Sequence, residues 1–288
     1  MNDPQLRYLT CASSSGLHRV AYWEWRAAGL PADVPTVVCV HGLTRNGRDF
    51  DALAARLSRR YRVICPDMAG RGRSDRLSNS ALYNLAQYLS DCVALVARLD
   101  VERIGWVGTS MGGLIGMSLA SLKGNPISGL VLNDVGPVLS PEGLARIGDY
   151  VGKAPSFSSY EQCLAYTKEI AADFGPHDEA GWDMLARHYW VQDGPVWRVH
   201  YDPRIAEPFA ALAGQPAISL WGFYDAIACP SLVLRGARSD LLPREVAHEM
   251  SRRGPKARIL EFEGVGHAPS LIAPTQIGAV ETFFEECF

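Results

Sequence analysis

Over the first 135 residues, short β-branched runs alternate with segments of helical periodicity, and this rhythm limits the chain to few folds. Leu6 to Cys11 and Val20 to Arg26 read as an opening pair of strands. Thr36 to Val40 is a continuous apolar run ending at His41-Gly42, and Tyr61 to Cys65 is a second ending at Pro66-Asp67. Ile104 to Val107 and Leu130 to Leu132 follow. The alternation predicts a mostly parallel sheet with helices on its faces. Between the runs, Leu85, Leu89, Cys92, Val96 and Leu99 recur at helical spacing, which predicts a helix burying one face on the sheet.

From about Val138 to Ala228 the strand rhythm stops and helix-like stretches dominate, among them Glu161 to Ala172 and Ala180 to Tyr189. This segment is rich in aromatic residues and predicts a helical insertion, residues 138–228, between core segments 1–137 and 229–288. Its aromatics either line an apolar pocket or join short helices to one another. Trp190, Trp197, Tyr201 and Trp221 are the candidates for substrate contact. Strand signals resume at Ser231 to Leu234 and Arg258 to Phe262, separated by a helix-like Arg244 to Ser251, and a closing helix runs from about Thr275.

A length of 288 residues with 48% hydrophobic content can fill a substantial interior. The formal charge of -3 and the lack of a dense basic block argue against nucleic acid as a partner. The start shows no apolar core of signal-peptide length and no later run approaches a membrane span, so the expectation is a cytoplasmic protein without a membrane partner. Seven cysteines without CxxC pairs suggest reduced packing residues. The scattered histidines offer no metal-ligand spacing.

Chemistry enters at Gly108-Thr109-Ser110-Met111-Gly112, which follows the apolar run ending at Val107 and precedes the helix-compatible Gly113 to Met117. A serine on a strained strand-to-helix turn is pushed out of the sheet edge, where its hydroxyl can attack a carbonyl carbon. That hydroxyl needs a base to take its proton and a carboxylate to orient the base. His267, after the strand ending at Phe262, suits the base. Two aspartates suit the carboxylate. Asp240 follows the strand ending at Leu234, and Asp134 follows the run ending at Leu132. The residues alone leave both open. Asp67 and Asp75 read as organisers of their glycine-rich loop.

Taken with His41-Gly42-Leu43-Thr44 and Asp67-Met68-Ala69-Gly70-Arg71-Gly72-Arg73-Ser74-Asp75, these motifs resemble the α/β-hydrolase superfamily, in the subgroup of capped serine esterases. The resemblance covers nearly the whole chain. It implies an α/β fold with a mostly parallel eight-stranded sheet and a helical cap after the sixth strand. It also implies Asp240 as the carboxylate, since its Gly-x-x-Ser-Asp spacing and the following Pro243 match the family's usual site, with Asp134 then shaping the pocket or bonding the backbone. It further implies an oxyanion hole from the backbone N–H groups of Leu43 and Met111, and a structural role for His41. Arg45, Asn46 and Arg48 either touch a polar substrate group or lie as solvated surface, the second being preferred. Serine at the elbow argues against relatives that use an aspartate nucleophile, and acyl transfer remains. The expected activity is hydrolysis of a small-molecule carboxylic ester, extending in similar enzymes to polyester oligomers, with no cofactor or metal. Carbon–carbon bond hydrolysis of a ring-cleavage diketone is the alternative. A slow hydrolase acting as a small-molecule receptor is a third reading.

Overall fold

In the computed structural model, which describes residues 3–211 and 216–288, the apolar runs form the centre of one eight-stranded sheet. Its strands are β1 (Gln5–Ser13), β2 (Gly16–Trp25), β3 (Thr36–Val40), β4 (Arg62–Asp67), β5 (Ile104–Thr109), β6 (Ile127–Asn133), β7 (Ser231–Gly236) and β8 (Arg258–Phe262). They lie in the order β1-β2-β4-β3-β5-β6-β7-β8. The opening hairpin is antiparallel and joins β4 antiparallel, while every pairing from β4 to β8 is parallel. Strands β3 and β7 are buried along their whole length, as expected of strands covered on both faces.

Helix α1 (Asp51–Leu57) returns the chain from β3 to β4, and α3 (Met111–Ala120) carries it from β5 to β6 on the other side. The strand order therefore reverses direction between β3 and β5. Open α/β sheets bind ligands outside the carboxyl ends of the strands at such a switch point. Helix α2 (Leu85–Leu99) begins where the Asn84 side chain accepts the Gln87 N–H at 3.0 Å and ends at Asp100 in the left-handed conformation. Its deepest face is Tyr88, Cys92, Leu95 and Leu99, with Leu85, Leu89 and Val96 at the margin. The stripe is thus rotated from the sequence expectation, because Tyr88 is drawn inward by a buried polar partner described below. Each such large side chain taken from water contributes about 1.5–3 kcal/mol.

The segment between β6 and β7 holds helices α4 (Pro141–Gly148), α5 (Tyr160–Ile170) and α6 (Glu179–Arg187). Beside them runs a three-stranded antiparallel sheet of Ser156–Phe157, Val196–Val199 and Trp190–Asp193. Helices dominate the segment, and the small sheet is an addition to the sequence expectation. Trp190 to Val199 is a hairpin around Gly194-Pro195, and its alternation was too short to stand out from the surrounding helical pattern. Val138–Leu139 and Ile218–Ser219 pair antiparallel, which ties the entry of the segment to its exit. Among the described residues, no helix is long and apolar enough to cross a membrane. All seven cysteines are free, and five are buried.

Candidate active site

Ser110 stands between the carboxyl end of β5 and the first turn of α3, with φ 51° and ψ -114°. A non-glycine residue in this region costs about 1–3 kcal/mol, and the neighbours over-determine it. Its N–H donates to the Asn133 carbonyl at 3.0 Å, and its carbonyl accepts from Gly113 and Leu114. The flanking glycines are required by close approach. A Cβ at Gly108 would lie 2.2 Å from the Gly112 carbonyl oxygen, and one at Gly112 would lie 1.9 Å from that of Val40. Strand and helix can meet at this angle only without those side chains.

The Ser110 hydroxyl lies 3.0 Å from Nε2 of His267, a buried residue on the loop after β8. On the far side of the ring, Nδ1 is 2.8 Å from Oδ2 of Asp134. A carboxylate only accepts, so Nδ1 carries the proton and Nε2 is left to accept from serine. Asp134 is fully buried, and its two oxygens also accept from the Gly236 N–H at 2.8 Å and the Ser239 hydroxyl at 2.6 Å.

The expected contact from Asp240 to His267 is therefore corrected: Asp134 occupies that position. Asp240 turns toward the inserted segment, pairs with Arg146 of α4, and accepts the Ser140 hydroxyl on its carbonyl at 2.7 Å. Burial works against its charge, yet the Arg146 pair holds its carboxyl below the ordinary value. The reason lies in the sheet. β6 is the direct neighbour of β5, so the first residue past β6 arrives beside the elbow, and its N–H is fixed by the Leu234 carbonyl at 2.7 Å. The Gly-x-x-Ser-Asp motif still serves the site, but through Ser239.

Two cavities meet at Ser110. The smaller, about 60 Å³, is bordered by His267, Arg45, Tyr150, Phe174 and Tyr189. The larger, about 310 Å³, is apolar and bordered by Met111, Leu114, Leu144, Phe209 and Leu220. Its size is at the lower end of small-molecule pockets. Leu43 borders both, and Met111 the larger. Burial raises the phenols of Tyr150 and Tyr189, so both face the smaller cavity uncharged.

Trp190, Trp197, Tyr201 and Trp221 border neither cavity, which corrects the sequence expectation. Their rings and polar ends are engaged elsewhere. Trp190 donates to the Thr167 hydroxyl at 2.9 Å, Tyr201 donates to the Lys153 carbonyl at 2.8 Å, Trp197 packs on Tyr160, and Trp221 packs on Tyr224 under Arg253. The smaller aliphatic residues of α4 border the cavities instead. Leu144 and Ile147 were visible as an i, i+3 pair but not distinguishable from core.

The loop after β3 is also more enclosed than expected. Arg45 is buried, pairs with Asp49 at 2.7 Å and donates to the Leu185 carbonyl, while Asn46 donates to the His188 carbonyl, each at 2.7 Å. These bonds fasten α6 and the residues after it to the core. His41 is structural: Nδ1 donates to the Gly42 carbonyl at 2.7 Å and Nε2 accepts the Met68 N–H at 2.9 Å. Burial pushes its pKa down to about 3, and the nearby Arg71 and Arg45 charges add to the effect. Asp67 accepts the Gly47 and Arg73 N–H groups, each at 2.8 Å, as a loop organiser should, and burial raises its pKa to about 6.

A hydrogen-bonded serine, imidazole and carboxylate at the carboxyl ends of β5, β8 and β6 are equipped for nucleophilic acyl transfer. The family model described as "Alpha/beta hydrolase family" matches residues 37–277. The chain belongs to that family. This α/β hydrolase is 48% identical to the 3-hydroxybutyrate-oligomer hydrolase of Cupriavidus necator, over 98% of both chains. It also matches the crystal structure of an α/β hydrolase from Novosphingobium aromaticivorans with a TM-score of 0.89 and 38% identity, covering 99% of each chain. E-2-(acetamidomethylene)succinate hydrolase, at 20% identity and TM-score 0.81 over 98% of this chain and all of that one, shares the fold.

Proposed function

We propose that this α/β hydrolase cleaves the ester bonds of short 3-hydroxybutyrate oligomers through an acyl-enzyme on Ser110. The observation that carries the chemistry is the line of bonds from Ser110 through His267 to Asp134. The 48%-identical relative supports the substrate, since a 3-hydroxybutyrate-oligomer hydrolase acts on chains of carboxylic esters.

In the proposed course, Ser110 Oγ attacks the ester carbon as its proton passes to His267 Nε2. Negative charge gathers on the carbonyl oxygen, where the N–H groups of Leu43 and Met111 receive it. The intermediate collapses, the alkoxide leaves with the proton from His267, and the acyl group stays on Ser110. Water then gives a proton to the same nitrogen and attacks the acyl carbon. Serine departs with that proton, releasing a carboxylic acid and completing one hydrolysis. Asp134 keeps the ring in the required tautomer and stabilises the imidazolium formed in each half. Ester hydrolysis is favoured over carbon–carbon cleavage by the relative's activity, and over a receptor role by the assembled bonds at Ser110.

The test is release of 3-hydroxybutyrate from its dimer and trimer, followed by mass spectrometry, beside p-nitrophenyl butyrate and a ring-cleavage diketone. Oligomer cleavage abolished by Ser110→Ala is the expected result. Turnover of the diketone alone would overturn the proposal, and so would oligomer cleavage that survives in Ser110→Ala.

A further inference from the structure

Three arginines of the described chain are buried, and two of them hold a carboxylate: Arg45 pairs with Asp49 and Arg235 with Glu261. The third, Arg71, is 1% exposed and holds none. Its Nε donates to the Leu43 carbonyl at 2.9 Å, its Nη1 to the Ala69 carbonyl at 2.7 Å and the Tyr88 hydroxyl at 2.6 Å, and its Nη2 faces Met111 Sδ at 3.8 Å. The rings of Tyr88 and Tyr83 lie 5.0 and 5.6 Å from the guanidinium carbon. Every one of these partners is neutral.

A buried guanidinium with only neutral partners has lost its hydration without gaining an anion, an arrangement that destabilises the fold. Such a charge is best matched by an anion that forms only during turnover. Two of its four hydrogen-bond partners are Leu43 and Met111, whose N–H groups are assigned above to the oxyanion. The backbone of Arg71 is itself held in place by an isolated antiparallel bridge to Tyr201. Arg71 borders neither cavity, so it reaches the substrate only through those two residues.

We propose that Arg71 is a positioning residue that holds Leu43 and Met111 in register as an oxyanion cradle and supplies that cradle with an uncompensated positive charge. The proposal rests on the esterase reading. Fixed donors and charge in a dry site stabilise developing negative charge without reorganising during the reaction. The thioether of Met111 keeps one side of the guanidinium from a competing strong acceptor. Tyr88 is drawn into the core to serve the same cation, which accounts for the rotation of the α2 stripe.

The test compares Arg71→Met and Arg71→Lys with wild type on p-nitrophenyl butyrate. A second arm measures inhibition by an alkyl trifluoromethyl ketone, which forms a hemiketal oxyanion on the serine, and by the secondary alcohol from its reduction, which is uncharged and forms none. For Arg71→Met, kcat should fall roughly 100-fold, as on loss of one oxyanion donor, with KM within about twofold. Inhibition by the ketone should weaken by a similar factor, and inhibition by the alcohol should not change. Arg71→Lys keeps the charge without the fork and should lose about tenfold in kcat. An unchanged kcat in a folded Arg71→Met would overturn the proposal, as would equal weakening of both inhibitors, which marks a collapsed pocket. If Arg71→Met does not fold, Arg71→Lys decides, and wild-type kcat and ketone affinity in it overturn the assignment. Failure of both variants to fold would make Arg71 a folding determinant and also overturn it. Wild-type protein that hydrolyses no ester and does not bind the ketone would instead sink the esterase reading and this proposal together.

Discussion

Replacing Asp134 by asparagine should disable the site through a proton placed on the wrong nitrogen. The Gly236 N–H, 2.8 Å from Oδ1, is fixed by the backbone and requires an acceptor, so the amide oxygen of the introduced asparagine must take that position. The amide nitrogen then replaces Oδ2, facing Nδ1 of His267 and the Ser239 hydroxyl. Ser239 can rotate to accept. His267 can accept only by moving its proton to Nε2, the atom 3.0 Å from Ser110 Oγ, and an imidazole protonated there cannot take the serine proton. The same tautomer error in serine proteases lowers kcat by roughly 10⁴, and a loss on the order of 10³–10⁴ is expected here. Asp240→Asn breaks a half-exposed pair with Arg146, an interaction worth about 0–1 kcal/mol, and should change kcat by less than about threefold. Steady-state hydrolysis of p-nitrophenyl butyrate, with thermal melting as the folding control, separates the two. Substantial activity in folded Asp134→Asn, together with a loss of 100-fold or more in Asp240→Asn, would refute the argument.

Ser110→Ala should lower kcat by a factor approaching 10⁶, read from p-nitrophenyl ester turnover at high enzyme concentration. Gly112→Ala places a Cβ against the Val40 carbonyl, where backbone must move; a lowered urea midpoint or insoluble protein is expected, and wild-type stability would contradict the packing described. His41, whose folded pKa of about 3 lies below the ordinary 6.5, binds fewer protons in the native than in the unfolded state between those values. Its contribution is therefore complete above pH 6.5 and is lost as pH falls toward 3, on the order of 2 kcal/mol by pH 5. Urea titrations from pH 7 to 4 should show a shallower acid decline in His41→Gln than in wild type; parallel slopes would reject the assignment. Trp190→Phe removes the bond to Thr167 and should lower stability by about 1 kcal/mol, with kcat and KM on p-nitrophenyl butyrate within about twofold of wild type.

Much of the site was legible because its signals are local. Ser110 is marked by two glycines that strand and helix cannot do without, and His267 by its place on a loop after an apolar run. The carboxylate was misassigned because Asp134 and Asp240 both follow strands, and linear order does not say which strand end lies beside the imidazole. The four aromatic candidates failed for a related reason. Composition marks a segment as rich in rings, but rotamers and neighbouring acceptors decide which rings face a cavity, and Thr167 and Lys153 claim two of them.

By itself the sequence determined the layered parallel sheet, the interruption after the sixth strand and the place of Ser110 on the turn between β5 and α3, since each follows from periodicity or sterics acting over a few residues. The tertiary structure alone decided the partner of His267, the lining of the two cavities and the neutral surroundings of Arg71. Each of these depends on which distant segments the sheet order brings together, and hydrogen bonds and charge act across space rather than along the chain.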